Sequence, residues 1–173
     1  MSVELRPLPD DALLQRYANG WEKPGKPPYT DCFVLRCKKS VSLEDYVRAF
    51  YTSRLFRLER WLIRLAARRP STDQQVAELA AAQREDFAVW TVEARREHEL
   101  LLKDLGGRTR SWLRVSAASG GTDLWFGSAV LPKVDRDRGR STLGWVFSAL
   151  LGFHKIYSRG LLVAAARRLA RTD

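Results

Sequence analysis

The stretch from Ser141 to Arg171 constrains this chain more than any other, because it reads as one long helix with a single apolar stripe. At about 100° per residue, Leu143, Val146, Phe147, Leu150, His154, Tyr157, Leu161 and Ala165 fall on one side, with Lys155 and Arg159 on the far side. A helix so long and so one-sided needs a broad apolar surface to lie on. The preceding residues supply it, because from Phe87 the apolar period drops to two. "FAVWTVEARR" puts Trp90, Val92 and Ala94 on one face, and "ELLLKD" follows after a turn near His98. "RTRSWLRVS" alternates Arg110, Trp112 and Arg114 against Ser111, Leu113 and Val115. "TDLWFGSAVLP" sets Leu124, Phe126, Ser128 and Val130 against Trp125, Gly127 and Ala129. Gly106, Gly107 and "SGG" mark the intervening turns, so four consecutive strands form an antiparallel meander.

Upstream, Thr30 to Lys38 reads as a further strand, with Phe33, Leu35 and Cys37 on one face. Helical signals follow it. Ser42 is an N-cap with Asp45 as its box-like partner, Ser53 caps a second segment after the break at "TSR", and Ser71 or Thr72 caps a third after Pro70. Residues 1–29 read as an N-terminal arm: "PDDALLQRYA" as a short helix capped by Asp10, then a loop crowded with Pro and Gly. The expected architecture is α+β, an arm over 1–29 and one domain over 30–173. In that domain a curved antiparallel sheet packs on a long C-terminal helix, with a helical insert after the first strand. Five strands are legible.

Several function classes fall away. The chain has no P-loop, no G-x-S-x-G elbow and no H-E-x-x-H pair. Cys32 and Cys37 lie five apart in a strand, about 16 Å from one another on opposite faces, so neither a disulfide nor a shared metal site is expected. No cofactor is expected. The net charge of +10, from 30 Lys and Arg against 20 Asp and Glu, is compatible with nucleic acid, an anionic membrane surface or acidic ligands. Aromatic residues do not interleave with the basic ones in an RNP-like pattern, which argues against nucleic acid. The N-terminus is charged and carries no apolar signal segment, and no apolar run approaches the length of a membrane span, so a cytoplasmic protein is the expectation.

The phrases "YTDCF", "GRTRSWL", "WFGSAV" and "GFHKIYSRGLL", in this element order, resemble an uncharacterised bacterial branch of the START-like or helix-grip (SRPBCC, polyketide cyclase-like) superfamily over roughly residues 29 to 165. The resemblance implies an apolar cavity between the sheet and the C-terminal helix. Binding of a small hydrophobic or amphipathic molecule there is the leading expectation. Trp90, Trp112 and Phe126 would form walls, Arg110 would anchor a carboxylate, and Ser128, His154 and Tyr157 would orient the ligand. Two other readings stay open. His154, held by Glu93 or Asp104, would be the acid/base of a cyclase- or hydratase-like enzyme. Alternatively the stripe Arg57, Arg60, Arg64 and Arg68 would dock on a membrane surface or a partner.

Overall fold

The alternation of Phe33, Leu35 and Cys37 with Val34 and Arg36 produces a nine-residue strand, β2 (Tyr29–Cys37). Its length gives it two antiparallel neighbours, β1 (Val3–Leu5) and β7 (Gly121–Val130). β7 pairs with β6 (Thr109–Ala118), β6 with β5 (Glu99–Asp104), β5 with β4 (Trp90–Arg96), and β4 with β3 (Asp86–Phe87). The result is an open seven-stranded sheet in the order β1-β2-β7-β6-β5-β4-β3. Two strands more than expected are present, because three-residue β1 and two-residue β3 are too short to register as alternation. The computed structural model describes residues 2–19, 27–68, 70–132 and 145–171, with backbone alone at residues 59, 62–67 and 145–155.

Local capping chemistry sets the helix starts. Ser42 Oγ accepts from the Asp45 amide at 3.1 Å and opens α2 (Leu43–Tyr51). Ser53 does the same for Phe56 at 3.3 Å and opens α3 (Arg54–Ala67), so the break at "TSR" is real. Thr72 and Gln75 form a reciprocal box at the start of α4 (Asp73–Ala80). The arm helix, α1 (Gln15–Ala18), is shorter than its pattern suggested and is preceded by Leu14 at the cap position, not by Asp10. The last helix, α5, runs Trp145–Leu169.

The two faces of the sheet are both covered, by different partners. On the inner face, Phe33, Leu113, Leu124 and Phe126 meet Val47 and Phe50 of α2, Leu79 of α4, and Leu161, Leu162 and Ala165 of α5. The buried side of α5 over its described side chains is Ser158, Leu161, Leu162, Ala165 and Ala166, with Tyr157 half-buried at its edge. On the outer face, Ala12, Leu13, Leu14 and Tyr17 of the arm cover Cys32, Leu101, Trp112 and Ala129. Gly127 makes this second layer possible, since a Cβ there would sit 2.9 Å from both Leu14 and Trp112. Fully burying a side chain such as Leu14 contributes about 1.5–3 kcal/mol, so the arm is held as a core element.

Candidate functional site

Cross-strand register sorts the inner face into rows. One row, Phe33–Phe126–Leu113–Leu100, is wholly apolar. The next row is Asp31–Ser128–Ser111–Leu102, in which three polar side chains on adjacent strands stand side by side. Beyond it, towards the sheet end, come Tyr29, Val130 and Thr109.

The polar row is buried: Asp31 is 7% exposed, Ser111 6% and Ser128 2%. Asp31 Oδ1 accepts from Ser128 Oγ at 2.6 Å and from the Ser128 amide at 3.1 Å. Tyr29 Oη donates to Asp31 Oδ2 at 3.4 Å, and burial together with the Asp31 carboxylate pushes the Tyr29 phenol up to about 12. From above, Tyr51 of α2 brings its hydroxyl to 3.2 Å from Ser111 Oγ. The Tyr51 ring is held edge-on by Phe50 at 5.2 Å and by Phe56 at 4.7 Å.

Two further buried polar atoms on this side of the sheet have no hydrogen-bond partner among the described residues: Ser158 Oγ on α5 and Trp90 Nε1 on β4. Ser158 is fully buried, on a helix that packs over β2 and β7. An unmade hydrogen bond at a buried donor costs about 1–3 kcal/mol, so each marks a place where a further polar group would be stabilising.

Six of the seven residues singled out in the sequence have described side chains, and these divide between the two faces. Trp90, Phe126, Ser128 and Tyr157 belong to the inner side. Phe126 is covered by Phe50, with ring centroids 4.9 Å apart, so α2 lies over it. Arg110 and Trp112 lie on the outer face, under the arm. The expectation that Arg110 anchors a ligand carboxylate gives way to internal partners. Its Nε–H points at Tyr17 Oη at 2.9 Å while lying 2.6 Å from Glu93 Oε2, and its Nη1 donates to the Gly107 carbonyl at 2.8 Å. Tyr17 Oη in turn donates to Glu93 Oε1 at 2.6 Å. Trp112 Nε1 donates to buried Glu99 Oε2 at 2.7 Å, and the Leu13 amide donates to the same oxygen at 3.0 Å. Both residues therefore lock the arm.

His154 lies in α5, with its side chain outside the described residues. Glu93 faces the arm, and Asp104 Oδ1 caps the β5–β6 turn through the amides of Arg108 at 2.7 Å and Thr109 at 2.8 Å. Sequence reasoning missed Asp31, Ser111, Tyr51 and Ser158. A signal existed for the first: in "YTDCFVLRC", Asp31 shares the parity of Phe33, Leu35 and Cys37, which puts an acid on the core face.

An open antiparallel sheet carrying a long C-terminal helix on one face is an α+β arrangement consistent with a helix grip. No protein-family model matches the chain, and no curated protein matches it. Two solved structures are similar at low identity. One, a protein from Rhodobacter sphaeroides, is 16% identical with a TM-score of 0.42, covering 99% of this chain and 100% of that one. The other, CalU16 from Micromonospora echinospora, is 15% identical with a TM-score of 0.34, covering 96% of this chain and 90% of that one.

Proposed function

We propose that the protein binds a small amphipathic molecule between the inner face of the sheet and α5, with the polar end of the ligand at the Asp31–Ser128–Ser111 row. The row itself carries this reading: it is a line of buried polar side chains next to a wholly apolar row, on the side of the sheet where the Ser158 hydroxyl and the Trp90 indole N–H have no hydrogen-bond partner among the described residues. A core built for stability alone gains nothing from such groups, since replacing a buried polar set by apolar residues is often neutral or stabilising. The chemistry of the row selects the ligand. Asp31 calls for a hydroxyl or amino group, and the Trp90 N–H and Ser158 hydroxyl call for an acceptor. An apolar body would lie along the helix, removed from water at about 25 cal/mol per Å². With Arg110 committed to Glu93 and Tyr17, a ligand carboxylate is no longer part of the reading.

Native mass spectrometry of freshly purified protein tests this directly, through a co-purified species that Asp31→Asn or Ser128→Ala depletes. A thermal-shift panel of medium-chain alcohols, amines and carboxylates provides the second test. The expected result is stabilisation by alcohols or amines in the wild type and loss of that response in Asp31→Asn. A panel that leaves the melting temperature unmoved, with no co-purified species, would overturn the proposal.

A further inference from the structure

The outward side of α3 carries four residues that helical geometry makes neighbours: Arg54, Arg57, Leu58 and Trp61, at spacings of three and four. All four are exposed, Leu58 and Trp61 to 55% each. The opposite side is committed to the interior, where Phe56 is 3% exposed and Arg60 8%, the latter donating to the Ser71 carbonyl and to Asp73. Leu58 and Trp61 are therefore not surplus core residues on a misoriented helix. The helix is anchored by one face and presents a second, mixed apolar and basic face to solvent. A third large apolar side chain, Ile156 of α5, is 72% exposed, on a helix packed against α3.

We infer that this face of α3 docks on an anionic lipid bilayer. A Trp beside a Leu, flanked by arginines, is the side-chain set that partitions into the headgroup boundary: the indole and the leucine enter it, and the guanidiniums reach lipid phosphates. The charge is complementary. Arg54 and Arg57 flank the apolar pair, Arg57 also pairing with the Asp73 carboxylate, and the chain as a whole carries +10, whereas a bilayer surface containing phosphatidylserine is negative. A nucleic acid would use the arginines but give Leu58 and Ile156 nothing to bury against. This surface is independent of the small-molecule reading and stands or falls without it.

Flotation with vesicles of phosphatidylcholine alone, or mixed with phosphatidylserine, tests the inference on the full chain. The expected result is binding to the mixed vesicles at low salt, little to phosphatidylcholine alone, and a steep fall as salt rises. Leu58→Ser together with Trp61→Ser should lower the partition coefficient at least about tenfold, and Arg54→Gln about fivefold. All three substituted positions are exposed, and unchanged circular dichroism and melting temperature establish that these variants fold. A wild type that stays with the lipid-free fraction at low salt would overturn the inference. So would a Leu58→Ser/Trp61→Ser variant that floats as well as the wild type, because the overall charge would then account for binding. Retention on immobilised DNA that exceeds vesicle binding, and that the same double variant leaves unchanged, would overturn it in favour of a polyanion partner.

Discussion

Ser128 faces Asp31 across the β2–β7 pair and gives the same carboxylate oxygen two hydrogen bonds, one from its hydroxyl at 2.6 Å and one from its backbone N–H at 3.1 Å. Asp31→Ala strands two buried donors and should cost about 1–3 kcal/mol in urea unfolding. Asp31→Asn keeps an acceptor oxygen and should cost less.

Glu99 is the corresponding carboxylate on the outer face, where one oxygen takes both the Leu13 amide and the Trp112 indole. Hydrogen bonds to a charged group contribute roughly 1.5–3 kcal/mol each, so Glu99→Ala should be among the most destabilising single changes in the chain. Because one of the two donors belongs to the arm, the variant should also be cut by protease within residues 8–19 faster than the wild type. Glu99→Gln should be intermediate on both measures.

Gly121 tests the sheet geometry. A Cβ there would run into the carbonyl oxygen of Cys37, which is backbone and has nowhere to move. Gly121→Ala should therefore disrupt the β2–β7 end pairing, lowering the melting temperature sharply. Gly107→Ala, where nothing lies within 4 Å, should show only the backbone strain of its +64° φ, about 1–2 kcal/mol.

Cys32 is buried beneath the arm, and burial, reinforced by the Asp31 charge, pushes its thiol up to about 12. At pH 8 almost none of it is thiolate. Mass spectrometry after iodoacetamide treatment should find Cys32 unmodified in the native protein and modified in urea.

Acid should loosen the arm. Arg114 donates to both carboxylate oxygens of Asp11, at 2.8 and 2.9 Å, and this hydrogen bonding holds the Asp11 carboxyl below its usual range. A carboxyl whose pKa is lower folded than unfolded contributes stability that is complete above the unfolded value, about 4, and is lost as pH falls through the folded one. Proteolysis of the arm by an acid-active protease should thus rise below pH ~4 in the wild type. In Arg114→Gln the arm should already be more accessible at neutral pH, with a smaller further change on acidification.

Local chemistry was the most legible part of the fold. Ser42, Ser53 and Thr72 cap because the donors they satisfy are three residues away, and the alternation of β6 and β7 is written in each strand alone, whereas an irregularity between Val92 and Ala94 sends Ala94 to the outer face, away from Trp90 and Val92 with which its spacing had grouped it. Which parity faces the helices is a different matter. The Arg110–Trp112 side and the Ser111–Leu113 side of β6 both carry residues fit for burial, because the arm makes the outer face a second core. Nothing within "RTRSWLRVS" reports that Trp112 is covered by Leu14, or that Glu93 and Tyr17 occupy Arg110. The same nonlocality hid the polar row. Asp31, Ser128 and Ser111 belong to separate strands, and only register aligns them.

That register has a cost during synthesis. Ser128 is 97 positions beyond the residue it pairs with, so β2 spends most of translation without its main neighbour. β1 spans three residues and cannot hold it alone. Until β7 has cleared the ribosome, a nine-residue strand with Cys32 to Leu35 as its apolar centre remains an open template for other nascent chains. Soluble yield in a heterologous host should therefore track translation speed and chaperone supply more closely than the melting temperature of the finished protein.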